Sequence, residues 1–366
     1  MSQTIKAQTV KTQKLKVLII GAAFSADLHL DAYSRIRDKA QITGICDKNS
    51  GRIDTLALHY GLDDINKYDD YETAINVCDC DLVDICVPNF LHYPVAMAAL
   101  KKGRHIICEK PLATILENGV EMIAFAQKAG KKIYYAEDWL CAPAIRKALS
   151  IIESGKLGKL LYVRCRECHN GSHSPFAQTL EYCGGGSMLH MGVHPAGFLL
   201  AIRDGKWKEL TAMCSGGMEN NLLHKKLEGE DWGAAIIRFE DGFYALLEGN
   251  YVSEGGMEDV IDFYCSDGCL HLDLTFSSAI SAYSKNGLEY TVEKADITAG
   301  WSRPAVDEKY NLGYTAEIEH FVDCALEDRD AQKGMRGIDG LEALRIIKMI
   351  YKSAAEGRVI RNQDAG

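Results

Sequence analysis

Lys16-Val17-Leu18-Ile19-Ile20-Gly21-Ala22-Ala23-Phe24-Ser25-Ala26 is the stretch that decides the fold. Residues 16–20 form a short, β-branched apolar run, a glycine comes directly after it, and residues 25–37 read as a helix. A buried parallel strand that turns into a helix through glycine aims backbone N–H groups and the helix dipole at a pyrophosphate. Gly21 holds the first position of G-x-G-x-x-G/A, Ala23 stands at the second, and Ala26 is the permitted alanine at the third. Phe24 and Ser25 open the helix beside it. Taken alone, such a turn is more often an ordinary strand-helix corner, so its meaning depends on the strands downstream.

A second strand, residues 42–46, ends in Asp47, where a dinucleotide-binding unit places the carboxylate that takes the ribose 2'-hydroxyl. That carboxylate repels a 2'-phosphate, which favours NAD over NADP. Residues 82–87 form a third apolar strand closed by Pro88-Asn89. Residues 106–108 lead into Glu109-Lys110-Pro111, residues 132–135 are a fifth strand, and helical patterns occupy 94–102 and 117–129. Strands alternating with helices at this spacing imply an α/β, doubly wound parallel sheet with ligands at the carboxyl ends of its strands. Gly21, Asp47, Asn89 and Lys110 all stand at such ends.

The chain of 366 residues exceeds one ordinary core. We expect a loosely ordered lead at 1–13, an NAD-binding domain at 14–137, and an α+β domain at 138–366. Residues 160–168, 233–239, 243–251 and 260–266 alternate like strands of a largely antiparallel sheet. Helices at 314–327 and 337–355 close the chain and are expected to pack back on the first domain. The net charge, 41 minus 51 or -10, carries no basic stripe, which argues against a nucleic-acid partner. Apolar residues make up 47% without a run of the eighteen or so that a membrane helix needs, and no secretory leader is visible. The expected location is the cytoplasm. Thirteen scattered cysteines fit a reducing compartment. Cys165-Arg166-Glu167-Cys168-His169 matches the haem-attachment string, but it lies in a strand pattern of a chain without an export signal, and no metal is assigned.

Gly184-Gly185-Gly186-Ser187-Met188-Leu189-His190-Met191-Gly192-Val193-His194-Pro195 is the second motif. His190 and His194 share a face if the segment is one helix. Pro195 fits only if it lies in a first turn.

With Glu109-Lys110-Pro111 and this glycine-rich segment both read, the chain resembles the glucose-fructose oxidoreductase / inositol dehydrogenase / MocA (Gfo/Idh/MocA) family from about residue 14 to 360. Val87-Pro88-Asn89 with His92, residues 135–143, and Gly155-Lys156-Leu157-Gly158 belong to the resemblance, and Pro88, Asn89, His92, Glu109 and Lys110 are expected at the cofactor. It implies a nicotinamide enzyme acting on sugars, polyols or related compounds. The lysine of E-K-P and the later histidine of G-G-G-x-x-x-D-x-G-x-H would stand at the reacting hydroxyl, which here are Lys110 and His194. His190 stands where that pattern usually has an aspartate, and it is expected with Lys110 and His194 among the catalytic residues.

Oxidising an alcohol needs a base for the hydroxyl proton, and a histidine of ordinary pKa about 6.5 suits that exchange. His194 is given that role and Lys110 that of stabilising the alkoxide. Residues 167–174, including His169 and His173, bring hydrogen-bonding groups together, with His190 beside them and Trp139 and Tyr182 as aromatic platforms. Such a pocket suits a pyranose or glycoside oxidised at a ring secondary hydroxyl, the 3-position first. The rivals are an inositol or polyol dehydrogenase, a redox-neutral NAD-dependent glycosidase or epimerase, and a dinucleotide-binding sensor. Glu167, His169, His173, His190 and His194 could also converge on an ion, though a sugar pocket explains them equally. The expected partners are a small-molecule sugar and a further copy of the chain, joined through the open sheet of the second domain.

Overall fold

The computed structural model describes residues 14–172, 174–275, 278–288 and 299–365. The lead at 1–13 and His173 lie outside them.

The first half alternates β1 (Leu15–Ile20), α1 (Phe24–Arg35), β2 (Ala40–Cys46), α2 (Ser50–Tyr60), β3 (Asn66–Tyr68), α3 (Tyr71–Val77), β4 (Leu82–Ile85), α4 (His92–Lys101), β5 (His105–Cys108), α5 (Leu116–Ala129) and β6 (Ile133–Tyr135). The six strands pair in parallel, in the order β3-β2-β1-β4-β5-β6. Val17, Leu18, Ile19, Val83, Ile106 and Ile107 are wholly buried, as strands covered on both faces by helices must be. The strand order reverses between β1 and β4, so a crevice opens at their carboxyl ends.

The second half contains α6 (Pro143–Glu153), β7 (Leu160–Cys168), α7 (Leu180–Cys183), α8 (Ser187–His190), α9 (Val193–Ile202), β8 (Trp207–Cys214), β9 (Trp232–Phe239), β10 (Tyr244–Asn250), β11 (Glu258–Cys265) and β12 (Cys269–Asp273). A small hairpin of β13 (Ala282–Ser284) and β14 (Gly300–Ser302) comes next, then α10 (Glu308–Leu312), α11 (Tyr314–Leu326), α12 (Gly337–Glu356) and β15 (Ile360–Arg361). The second sheet runs β12-β11-β7-β10-β9-β8-β15. Its pairs are antiparallel except for β7 with β10.

α9 is apolar nearly all round, and a helix of that kind is driven into the core. It lies under β7 and β10 and against α12. α12 also touches β8, α5 and β6, while α11 packs on α1, so both C-terminal helices reach the first sheet. The Tyr135 N–H donates to the Met335 carbonyl at 2.8 Å. On the opposite face of the second sheet Met213, Ile236 and Tyr244 are exposed.

Candidate active site

The dinucleotide end is built by strand ends that pass unusually close. Gly21 has φ +104, and a Cβ there would lie 2.1 Å from the Cys86 carbonyl oxygen. Only glycine lets β1 leave the sheet beside β4. The Gly21 N–H donates to the Cys46 carbonyl at 2.8 Å, and the Ala22 N–H donates to Asp47 Oδ2 at 2.8 Å. Asp47 therefore stands at the lip of the turn. Ala23 caps α1, and Ala23 and Phe24 are exposed at its first turn, leaving the positive end of the helix open. An open helix start beside a glycine cradle and a lip carboxylate fits a dinucleotide.

Two residues expected at the cofactor turn inward instead. His92 is 1% exposed, with Nδ1 2.7 Å from the Pro111 carbonyl and Nε2 2.9 Å from the Val87 carbonyl. It ties the Pro88 turn to the Pro111 turn, and burial holds its pKa below the ordinary value. Glu109 is also buried: Oε1 lies 3.1 Å from His29 Nε2, and Oε2 accepts from the Lys110 N–H at 3.0 Å. Burial alone would raise its pKa, but His29, Lys110 and His92 lower it. Asn89 faces the second domain, its amide donating to the Cys183 carbonyl at 3.0 Å and to His190 Nε2 at 2.8 Å.

Lys110 reaches the second domain too, donating from Nζ to the His190 carbonyl at 3.2 Å. Burial alone would lower its pKa, yet the carboxylates of Glu167, Glu109, Asp138 and Glu137 raise it above the ordinary value. The ammonium is therefore kept charged in a site where an unpaired cation would be expensive.

The two histidines of the glycine-rich segment do not share a helical face. The helix breaks after His190, and α9 restarts at Val193 with Pro195 in its first turn, the one place where the proline ring meets no preceding carbonyl. Gly186 lets the segment pass Glu230, whose carbonyl oxygen a Cβ would approach to 2.0 Å. Glu230 in turn accepts from the Gly186 and Met188 N–H groups at 3.0 and 2.8 Å. The rings diverge accordingly. His190 bridges Asn89 and, through Nδ1, the Tyr251 hydroxyl. His194 is 3% exposed, with Nδ1 2.9 Å from Glu137 Oε1 and 3.3 Å from Asp138 Oδ1.

Trp139 is not an open platform. It is 1% exposed and stacks beside His194, ring centres 6.2 Å apart and planes 13° apart. His169 is buried against Tyr251, centroids 4.9 Å apart. Tyr182 is half-buried with Phe90 and Phe176, 4.9 and 5.9 Å away. His173 falls outside the described residues.

The first part of the chain, residues 15–137, matches the family model described as the oxidoreductase family with an NAD-binding Rossmann fold, and residues 145–271 match the Gfo/Idh/MocA C-terminal domain. The chain belongs to the Gfo/Idh/MocA oxidoreductase family. It is similar to the D-glucoside 3-dehydrogenase of Escherichia coli (strain K12), 30% identical over 290 residues that cover 78% of this chain and 76% of that protein. The D-apiose dehydrogenase of Paraburkholderia graminis is 23% identical, over 98% of this chain and 92% of its own. Among solved structures, GenD2 from gentamicin A biosynthesis in complex with NAD superposes with a TM-score of 0.87 at 20% identity, over 98% of this chain and 99% of that one. The fold and the NAD-binding domain of this Gfo/Idh/MocA member are thus settled.

Glu137 and Asp138 were not among the expected site residues of this family member, although only Ala136 separates them from the end of β6. The strand-end rule that singled out Asp47 and Lys110 applies to them equally. Burial, then Asp138, Glu167 and Glu317, push the Glu137 carboxyl well above its usual range. Tyr251 carried no sequence signal, because only the pairing of β10 beside β7 brings it to His169 and His190.

Proposed function

We propose that the protein is an NAD-dependent oxidoreductase that converts a ring secondary hydroxyl of a pyranose or glycoside to the ketone, at the 3-position first. The observation that carries this reading is a cation and an imidazole served by the same pair of carboxyl groups. Glu137 and Asp138 contact His194 Nδ1 and also help to hold the charge on Lys110.

NAD, when bound, supplies the hydride acceptor. Gly21, Ala23, Phe24, Ser25 and Asp47 would hold it along the first turn, with Pro88, Asn89 and Lys110 at the reacting end, and the Asp47 carboxylate disfavours a 2'-phosphate. His194 turns Nδ1 toward Glu137 and Asp138, and Nε2 is the atom that would take the substrate hydroxyl proton. Lys110 then faces the developing alkoxide, and one well-placed donor of this kind contributes roughly 3 kcal/mol to catalysis. Trp139 holds the plane of the His194 ring.

Similarity to a D-glucoside 3-dehydrogenase supports the choice of substrate and position. All thirteen cysteines are free thiols, which supports a cytoplasmic setting. No described helix is long and apolar enough to cross a membrane. The exposed Met213, Ile236 and Tyr244 of the second sheet are the surface on which a further copy would pack.

The test is absorbance at 340 nm and product mass with NAD and glucose, simple glucosides and inositols. A product two hydrogens lighter from glucose or a glucoside is expected. Such a product from inositols alone, or from none of the three, overturns the reading.

A further inference from the structure

A second buried charge cluster lies behind Lys110, in the first domain. His29 of α1 is fully buried, and both of its ring nitrogens face carboxylates. Nδ1 lies 3.0 and 2.9 Å from the two oxygens of Asp84 on β4, and Nε2 lies 3.1 Å from Glu109 Oε1. A neutral imidazole owns one N–H, so it would turn a bare lone pair toward one of the two ionised carboxylates. An imidazolium serves both. We propose that His29, as a buried imidazolium between Asp84 and Glu109, is the positioning residue of the Lys110 turn.

Charges then alternate from the core to the site: Asp84 negative, His29 positive, Glu109 negative, Lys110 positive. Each buried charge meets its opposite, the condition under which buried ions are tolerated. The other neighbours agree with this assignment. Tyr33 donates its hydroxyl to Asp84 Oδ2 at 3.0 Å, and Cys86 Sγ lies 3.4 Å from His29 Nδ1. From α11, Glu317 adds a buried carboxyl whose pKa burial raises well above its ordinary range, while His29 lowers it. His92 and Lys110 face Glu109 from the other side. Burial alone would lower the pKa of His29, but Asp84 and Cys86 raise it well above the ordinary value.

The effect on function rests on the role proposed for Lys110. Glu109 is one of the four carboxylates that keep that ammonium charged, and it also accepts the Lys110 N–H. His29 prevents Glu109 from protonating or swinging away, and so acts on the reaction without touching substrate.

Nuclear magnetic resonance of protein labelled with 15N at histidine tests the charge directly, with no substrate needed. Among the eleven histidines, one ring should keep both protons through about pH 9, where an ordinary histidine is neutral. That signal should vanish in His29→Gln. In Glu109→Gln, which keeps the size of the side chain should His29→Gln fail to fold, the same ring should begin to titrate within that range. Absence of a doubly protonated ring, or one unmoved by Glu109→Gln, overturns the proposal. With a substrate in hand, the alkaline limb of kcat should move to lower pH in Glu109→Gln, and adding His29→Gln should move it no further. An unmoved limb, or additive shifts, contradicts the positioning role. Lys110→Met reports separately on the catalytic reading: full turnover in that variant removes Lys110 from the mechanism and leaves the resonance result standing.

Discussion

His190 and His194 stand four residues apart, yet their rings meet opposite kinds of neighbour. His190 ends α8 between an amide, Asn89, and a phenol, Tyr251, both uncharged. His194, in the first turn of α9, is backed by two carboxyl groups and an indole. An imidazole whose far nitrogen leans on a carboxylate is oriented and stabilised when it takes a proton. The difference supports the role of base proposed for His194 and that of a bridge between the Asn89 turn and the second sheet for His190.

The sharpest way to break this contrast is to remove each ring in turn. His194→Ala should lower kcat by about 10²- to 10⁴-fold, the usual contribution of a general base, while NAD binding, read by titration, stays unchanged. Lys110→Met should come next at about 10²- to 10³-fold with the dinucleotide retained. Glu137→Gln keeps the shape but weakens the support behind His194, and a loss near tenfold in kcat is expected. His190→Asp should preserve turnover while the alkaline limb of kcat rises, because an added carboxylate near Lys110 strengthens its hold on the proton. Asp47→Ala should change least in catalysis and narrow the NAD preference over NADP, about tenfold for one hydrogen bond to a charged group. Equal or tighter NADP binding by the unaltered protein would sink that assignment.

Much of this site could be read from residue order because the first sheet is regular. Residues 16–20, 82–87 and 106–108 are apolar runs between glycine, proline and charged turns, and their ends mark the crevice. β7 was equally legible from its alternation. β8 and β12 were not: in Trp207-Lys208-Glu209-Leu210 the charged residues break the period, and β12 is an edge strand half-exposed on both faces. The residues that support His194 escaped for a different reason. Glu137 and Asp138 read as an acidic turn until Val193–Ile202 folds over them. The inward turns of Glu109 and His92 likewise depend on α1 and α4, whose packing the spacing of residues does not display. Four-residue spacing suggested a shared face for His190 and His194, and Pro195 decided otherwise.

The most direct test of this division of labour is the acidic limb of kcat/KM, measured on the sugar that the product screen yields. The division predicts an acidic limb in the unaltered protein, retained in His190→Ala and absent from the residual activity of His194→Ala. A limb that disappears in His190→Ala and survives in His194→Ala would contradict it.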